Sequence, residues 1–177
     1  MAPVEGPSGR PCVERREEER LLEELSGAVT GSSVVVGIGN DLMGDDGAGP
    51  AVARRLLDVH PERVFDAAST PENFVAPIRR AAPDTVVLVD AADFGGAPGE
   101  VRVASEEDVA GLMMGTHAAP LSMFMRVIGE ETGASVVLIA IQAESSELGA
   151  KMGESVRSSV EQVATRLSQL LNRRTTK

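Results

Sequence analysis

The sequence predicts an α/β protein of three layers, α/β/α, built on a mostly parallel, twisted five-stranded sheet with one strand antiparallel. Three observations lead there. Short apolar runs rich in valine and isoleucine alternate with amphipathic helical patterns, which is how strands buried on both faces read when helices connect them. The stretch Asp93-Phe94-Gly95-Gly96-Ala97-Pro98-Gly99 is too short and turn-rich for a crossover helix, so the strand after it reverses direction. Acidic and polar residues collect just after the strands, at the end where open α/β sheets place their sites.

The elements follow in order. Residues 1–30 read as a Pro- and Gly-rich tail with a peripheral helix over 14–26, its apolar face made by Leu21, Leu22 and Leu25 and its end set by Gly27. Residues 31–177 read as the single domain. Val34 to Ile38 is the first strand, followed by a Gly- and Asp-rich turn and a helix opening near Pro50 with Val52, Leu56 and Leu57 on one side. Val64-Phe65 is a short second strand ending at Asp66. Ser69 and Glu72 form a capping pair before a helix faced by Phe74, Val75 and Ile78. Thr85 to Val89 is the third strand, ending in Asp90, and residues 100–104 are the reversed fourth. Ser105 caps a short helix reaching about Met114, and a second helix covers 121–131 up to Gly133. Val136 to Ile141 is the fifth strand. Val156, Val160, Val163, Leu167, Leu170 and Leu171 then mark a terminal helix.

Composition narrows the function. Among 177 residues, 42% are hydrophobic and 25% charged, ordinary for a globular chain with a real core. The formal net charge of −10, with arginines scattered and only four aromatics, all Phe, argues against nucleic-acid binding. No apolar run of membrane-spanning length and no secretory leader are visible, so the expected location is cytoplasmic, without membrane insertion. A single cysteine, Cys12, allows neither an internal disulfide nor a CxxC clasp.

The candidate chemistry lies on the rim. Asn40, Asp41, Asp45 and Asp46 follow the first strand, Asp66 and Asp90 the second and third, His117 precedes a helix, and Gln142 and Glu144 follow the fifth strand. Two carboxylates and an imidazole from separate loops suit a divalent ion with coordination positions left open. The competing reading is that strand-end aspartates cap helices and close turns. Adjacent residues point apart, so of Asp45 and Asp46 one is free to ligate while the other supports the loop. Gly37-Ile38-Gly39 starts like a dinucleotide fingerprint, but Leu42 stands where the third glycine belongs and the turn is acidic. His60 reads as structural. Met113, Met114, Met123 and Met125, around His117, read as core filling, with an adaptable apolar lip as the alternative.

The run Gly37-Ile38-Gly39-Asn40-Asp41-Leu42-Met43-Gly44-Asp45-Asp46-Gly47-Ala48-Gly49-Pro50 resembles the signature of the [NiFe]-hydrogenase maturation endopeptidases. The likeness continues in Asp66 with Pro71-Glu72-Asn73, in Val87-Leu88-Val89-Asp90-Ala91, in Pro98-Gly99-Glu100 and in Thr116-His117. It is nearest to the branch serving hydrogenase 3, or formate hydrogenlyase-type, enzymes. The resemblance implies an endopeptidase that removes a short C-terminal peptide from the nickel-loaded hydrogenase large-subunit precursor. Its metal positions carry over to Asp46, Asp90 and His117, with Asp66 as a further acidic residue supporting or activating the site. Nickel would come with the substrate, and zinc could occupy the same donors. The alternative is a chaperone that checks the precursor for nickel without cutting it. Ala143, where relatives often carry proline, departs from the family pattern.

Overall fold

The computed structural model describes residues 20–21, 23–112 and 118–173. Cys12, Leu22, Met113, Met114, His117 and the first part of the expected amino-terminal helix lie outside them. All five expected strands form: β1 (Ser33–Ile38), β2 (Val64–Ala68), β3 (Thr85–Ala92), β4 (Val101–Ser105) and β5 (Ser135–Gln142), in the spatial order β2-β1-β3-β5-β4. Every pairing is parallel except that of β4 with β5. The fourth strand therefore reverses as expected and closes one edge of the sheet.

Alternate residues feed two cores, as the two-residue period of a strand requires. Val35, Val87, Val89, Ile139 and Ile141 pack under α1 (20–21 and 23–28), α2 (Ala48–Leu57) and α6 (Glu154–Arg173). Val34, Val36, Ile38, Leu88, Leu138 and Ala140 pack under α3 (Val75–Ala81), α4 (Glu106–Leu112) and α5 (Ala118–Thr132). Leu21, Leu25 and Val29 are buried in the first core, so α1 seals its edge. Among the described residues, no helix is long and apolar enough to cross a membrane.

The departures from expectation are local. Gly27 does not end α1; the helix continues to residue 28 and is closed by the Val29 N–H donating to the Leu25 carbonyl at 2.8 Å. Ser69 does not cap: Pro71–Phe74 winds as a 3-10 turn with Thr70 in the capping position, and the Ser69 hydroxyl turns to the Gly39 carbonyl at 3.5 Å. Proline in that first turn shifts the helix start by one residue. At Ser105 the bonds run to a side chain of the helix: its hydroxyl donates to Asp108 Oδ2 at 2.6 Å and its N–H to the same oxygen at 3.3 Å. β2 outlasts its apolar run because a bulge opposite Gly37 and Ile38 lets it turn at Ala68, whose φ is +45°.

Candidate active site

The loop leaving β1 is folded back on itself by short backbone bonds. The Asn40 N–H donates to the Asp46 carbonyl at 3.2 Å, and the Asp46 N–H to the Met43 carbonyl at 3.1 Å. Gly39, at φ +137°, permits this: any Cβ there would collide with the Asp46 carbonyl. At Gly49 the first turn of α2 lies so close to β1 and β3 that a Cβ would strike the carbonyls of Ile38 and Val89. The glycines of the run thus press an acidic turn and a helix start onto two strand ends. No phosphate cradle results.

Asp45 and Asp46 then part company. Asp45 is buried, and its carboxylate accepts from the N–H groups of Glu144 at 2.9 Å, Ser145 at 3.0 Å and Gly153 at 2.6 Å. Its own N–H donates to the Ser145 carbonyl at 2.9 Å. It fastens the β5–α6 loop to the β1 loop and is spent on that task. Asp46 is half-buried in the 3-10 turn Gly44–Gly47, near enough to Asp90 of β3 for its charge to act there.

Asp90 lies near the end of β3, half-buried, level with Ala140 of β5 and on the face packed by α5. Burial, and next the charge of Asp46, push its carboxyl up to about 8; a hydrogen bond from the Ala91 backbone opposes this only in part. Both penalties fall on the ionised form, and a cation between the two carboxylates would relieve both. α5 leads directly into β5, so it runs back from the carboxyl end of the sheet, and its first residue, Ala118, follows His117 in the chain. Among the described residues no group of three His, Cys, Asp or Glu gathers at ligating distance. The third expected donor, His117, is outside them.

Asp66 is arranged differently. It sits beside Gly37 on the α2 face, where Arg54 reaches it at 3.1 Å while gripping Asp41 through two bonds of 2.7 Å. The fork of one guanidinium holds both carboxylates, and its hydrogen bond to Asp41 raises the Arg54 pKa further. Asp66 and Asp90 occupy strands on opposite sides of β1, one facing α2 and the other α5. Two strand spacings, roughly 9.6 Å, separate their backbones. A pepsin-like pair sharing one proton is therefore not built from Asp66 and Asp90.

Of the rim residues at the end of β5, Gln142 is a brace, while the Glu144 side chain is exposed. Gln142 is buried; its carbonyl accepts from Phe94 at 2.9 Å and Gly96 at 3.0 Å, and its amide donates to Asp93 at 3.1 Å. Ala143 keeps an N–H that donates to the Ala92 carbonyl at 3.1 Å, a bond a proline would forfeit, so β3 and β5 stay joined one residue further. His60 bonds Ser168 at 3.3 Å, a structural contact as expected. Met125 is buried in the core whereas Met123 is 69% exposed, so the methionines divide between core and surface. Sequence reasoning missed Arg54; its signal was position, one helical turn beyond Pro50 and within reach of two strand-end aspartates.

The comparisons with known proteins bear on the family and the fold. A family model described as hydrogenase maturation protease matches residues 51–170. The hydrogenase 3 maturation protease of Escherichia coli (strain K12) is 35% identical over 139 residues, 77% of this chain and 88% of that protein. The crystal structure of a [NiFe] hydrogenase maturation protease HycI from Thermococcus kodakarensis KOD1 superposes with TM-score 0.76 at 34% identity, covering 84% of this chain and 99% of the other. The solution structure of the endopeptidase HycI from Escherichia coli gives 0.68 at 32% identity, covering 78% and 90%.

Proposed function

Since the chain belongs to the hydrogenase maturation protease family and is an endopeptidase by that membership, we propose that it removes a short C-terminal peptide from a [NiFe]-hydrogenase large-subunit precursor and uses the precursor's nickel as its recognition element. The observation that carries this reading is Asp90, half-buried at the end of β3 near the charge of Asp46, which together push its carboxyl up to about 8. A carboxylate pair so placed stabilises a cation and destabilises itself without one.

Asp46, Asp90 and His117 are the residues that would meet the metal, two oxygens and one nitrogen on an open side of the sheet. Bound there, nickel supplies charge that polarises the scissile carbonyl or lowers the pKa of an attacking water. The chain's own part is orientation. Backbone bonds around Asn40 and Asp46 and the burial of β3 fix both carboxylates before the precursor arrives, which spares that entropy at docking. Asp66, held by Arg54, supports the β1 loop from the opposite face. An oxygen and nitrogen donor set follows the general divalent order, so zinc competes for the free protein, and selectivity for nickel comes from the precursor's own ligands.

The test is incubation of nickel-loaded and nickel-free precursor with the wild-type protein and with His117→Ala, reading the precursor's C-terminal mass. The expected result is a shortened product only from nickel-loaded precursor and wild-type protein. Efficient cutting of nickel-free precursor, or full activity without the imidazole, would contradict the recognition mechanism.

A further inference from the structure

Among the described residues, Leu42, Val59, Met123 and Leu148 are the large apolar side chains that stand exposed. Two of them lie on loops joined by a backbone hydrogen bond. Leu42, 66% exposed, lies in the β1 loop four residues before Asp46; Leu148, 77% exposed, lies in the β5–α6 loop. The Gly149 N–H donates to the Leu42 carbonyl at 2.7 Å, and the Leu42 N–H donates to Asn40 Oδ1 at 3.0 Å. Below them buried Asp45 bolts the same two loops together through three backbone N–H groups. Both leucines are therefore presented on a fixed frame. Exposed apolar side chains cost nothing singly, but two of them on loops held together next to the acidic turn are fixed in place relative to it.

We propose that Leu42 and Leu148 form an apolar rim that grips an apolar side chain of the precursor next to the bond to be cut, with basic precursor residues around it. This rests on the reading of the protein as a precursor peptidase. Continuity is the first support, because Leu42 and Asp46 belong to one hydrogen-bonded turn. Charge is the second: Glu144 and Glu147 stand exposed on the Leu148 loop against the single Lys151. Size is the third, since two side chains are far short of the roughly 1,200 Å² that a stable interface with a second copy buries.

The experiment is steady-state cleavage of nickel-loaded precursor by the wild-type protein, Leu42→Ser, Leu148→Ser, the double variant, and Val59→Ser as control. Val59 follows α2 at the opposite end of the sheet. Each rim variant should raise KM about tenfold, the value of burying part of a leucine, with kcat within about twofold, while Val59→Ser leaves both unchanged. Melting temperatures should stay at the wild-type value, because neither leucine is in the core. An unchanged KM in the double variant, or a fall in kcat alone, would overturn the proposal. So would self-association lost in the double variant with KM unaltered, which would give the rim to a second copy of the chain. Calorimetric binding of the precursor separates the two readings. A wild-type protein that binds at least tenfold more tightly than the double variant yet does not cut overturns only the cleavage reading, and one that does neither overturns both.

Discussion

Two acidic groups flank the carboxyl end of β1, and they are built on opposite terms. On the α2 side, Asp41 and Asp66 share the Arg54 guanidinium, with contacts of 2.7 and 3.1 Å, so their charge is answered within the protein. On the β3 side, Asp90 faces burial and the charge of Asp46, and its carboxyl is held near 8. The same residue type, one strand away on either side of β1, is a brace in one place and a strained group in the other. Compensation is what separates the two: one carboxylate is answered by a guanidinium, the other is opposed by burial and a neighbouring charge. Asp45 stands at the compensated extreme, with three backbone donors on one side chain.

The comparison can be broken at several points. The largest effect is expected where compensation is most complete. Asp45→Ala leaves the N–H groups of Glu144, Ser145 and Gly153 without their acceptor and should cost about 3 kcal/mol or more, read as a fall in the denaturation midpoint. A loss below about 0.5 kcal/mol would show that the loops do not depend on it. Next, Asp90→Asn should lower precursor cleavage at least about a hundredfold, the scale of losing one electrostatic contact at a reacting centre, while unfolding shows an intact domain. Retained activity would move the chemistry away from β3.

The pH dependence sharpens the same contrast. The folded-state pKa of Asp90 lies near 8, above its ordinary value of 3.8. Below about 4 both folded and unfolded chains hold this proton. Between about 4 and 8 only the folded chain holds it, so the contribution to stability shrinks as pH rises, by at most about 1.4 kcal/mol per pH unit, and levels off above 8. Unfolding midpoints at pH 5 and pH 8 should therefore differ more in the wild-type protein than in Asp90→Asn; an equal difference would show that Asp90 is not the group titrating. The smallest effect belongs to the α2 side. Arg54→Lys replaces a two-pronged grip with one point charge on half-exposed partners and should cost under about 1 kcal/mol in the same measurement.

The fold was readable in the sequence because each strand announces itself twice. The runs at Val34, Val86 and Val136 are apolar on both faces, and the turn-rich residues between Asp93 and Gly99 leave no room for a crossover. Element ends were less readable. Gly27 looks like a helix terminus, but Val29 is buried against Leu25 and its neighbours, and tertiary packing carries the helix past the glycine. In the rim, sequence order alone gathered Asp46, Asp66 and Asp90 at one end of the sheet. It could not divide them, because which face each carboxylate takes depends on strand register and on Arg54, thirteen residues from Asp41. The adjacency of Asp45 and Asp46 foretold that they diverge, and burial shows which became the brace.

Nickel titration of the free protein tests the division between the two sides most directly. Calorimetric affinities are measured for the wild-type protein, Asp66→Asn and Asp90→Asn at a pH above 8, where proton competition at Asp90 is small. Asp66→Asn should keep affinity within a few-fold of wild type, since the carboxylate it loses is already answered by Arg54. Asp90→Asn should lose at least about a hundredfold. Equal losses in the two variants, with folding intact, would place Asp66 at the metal and contradict the account.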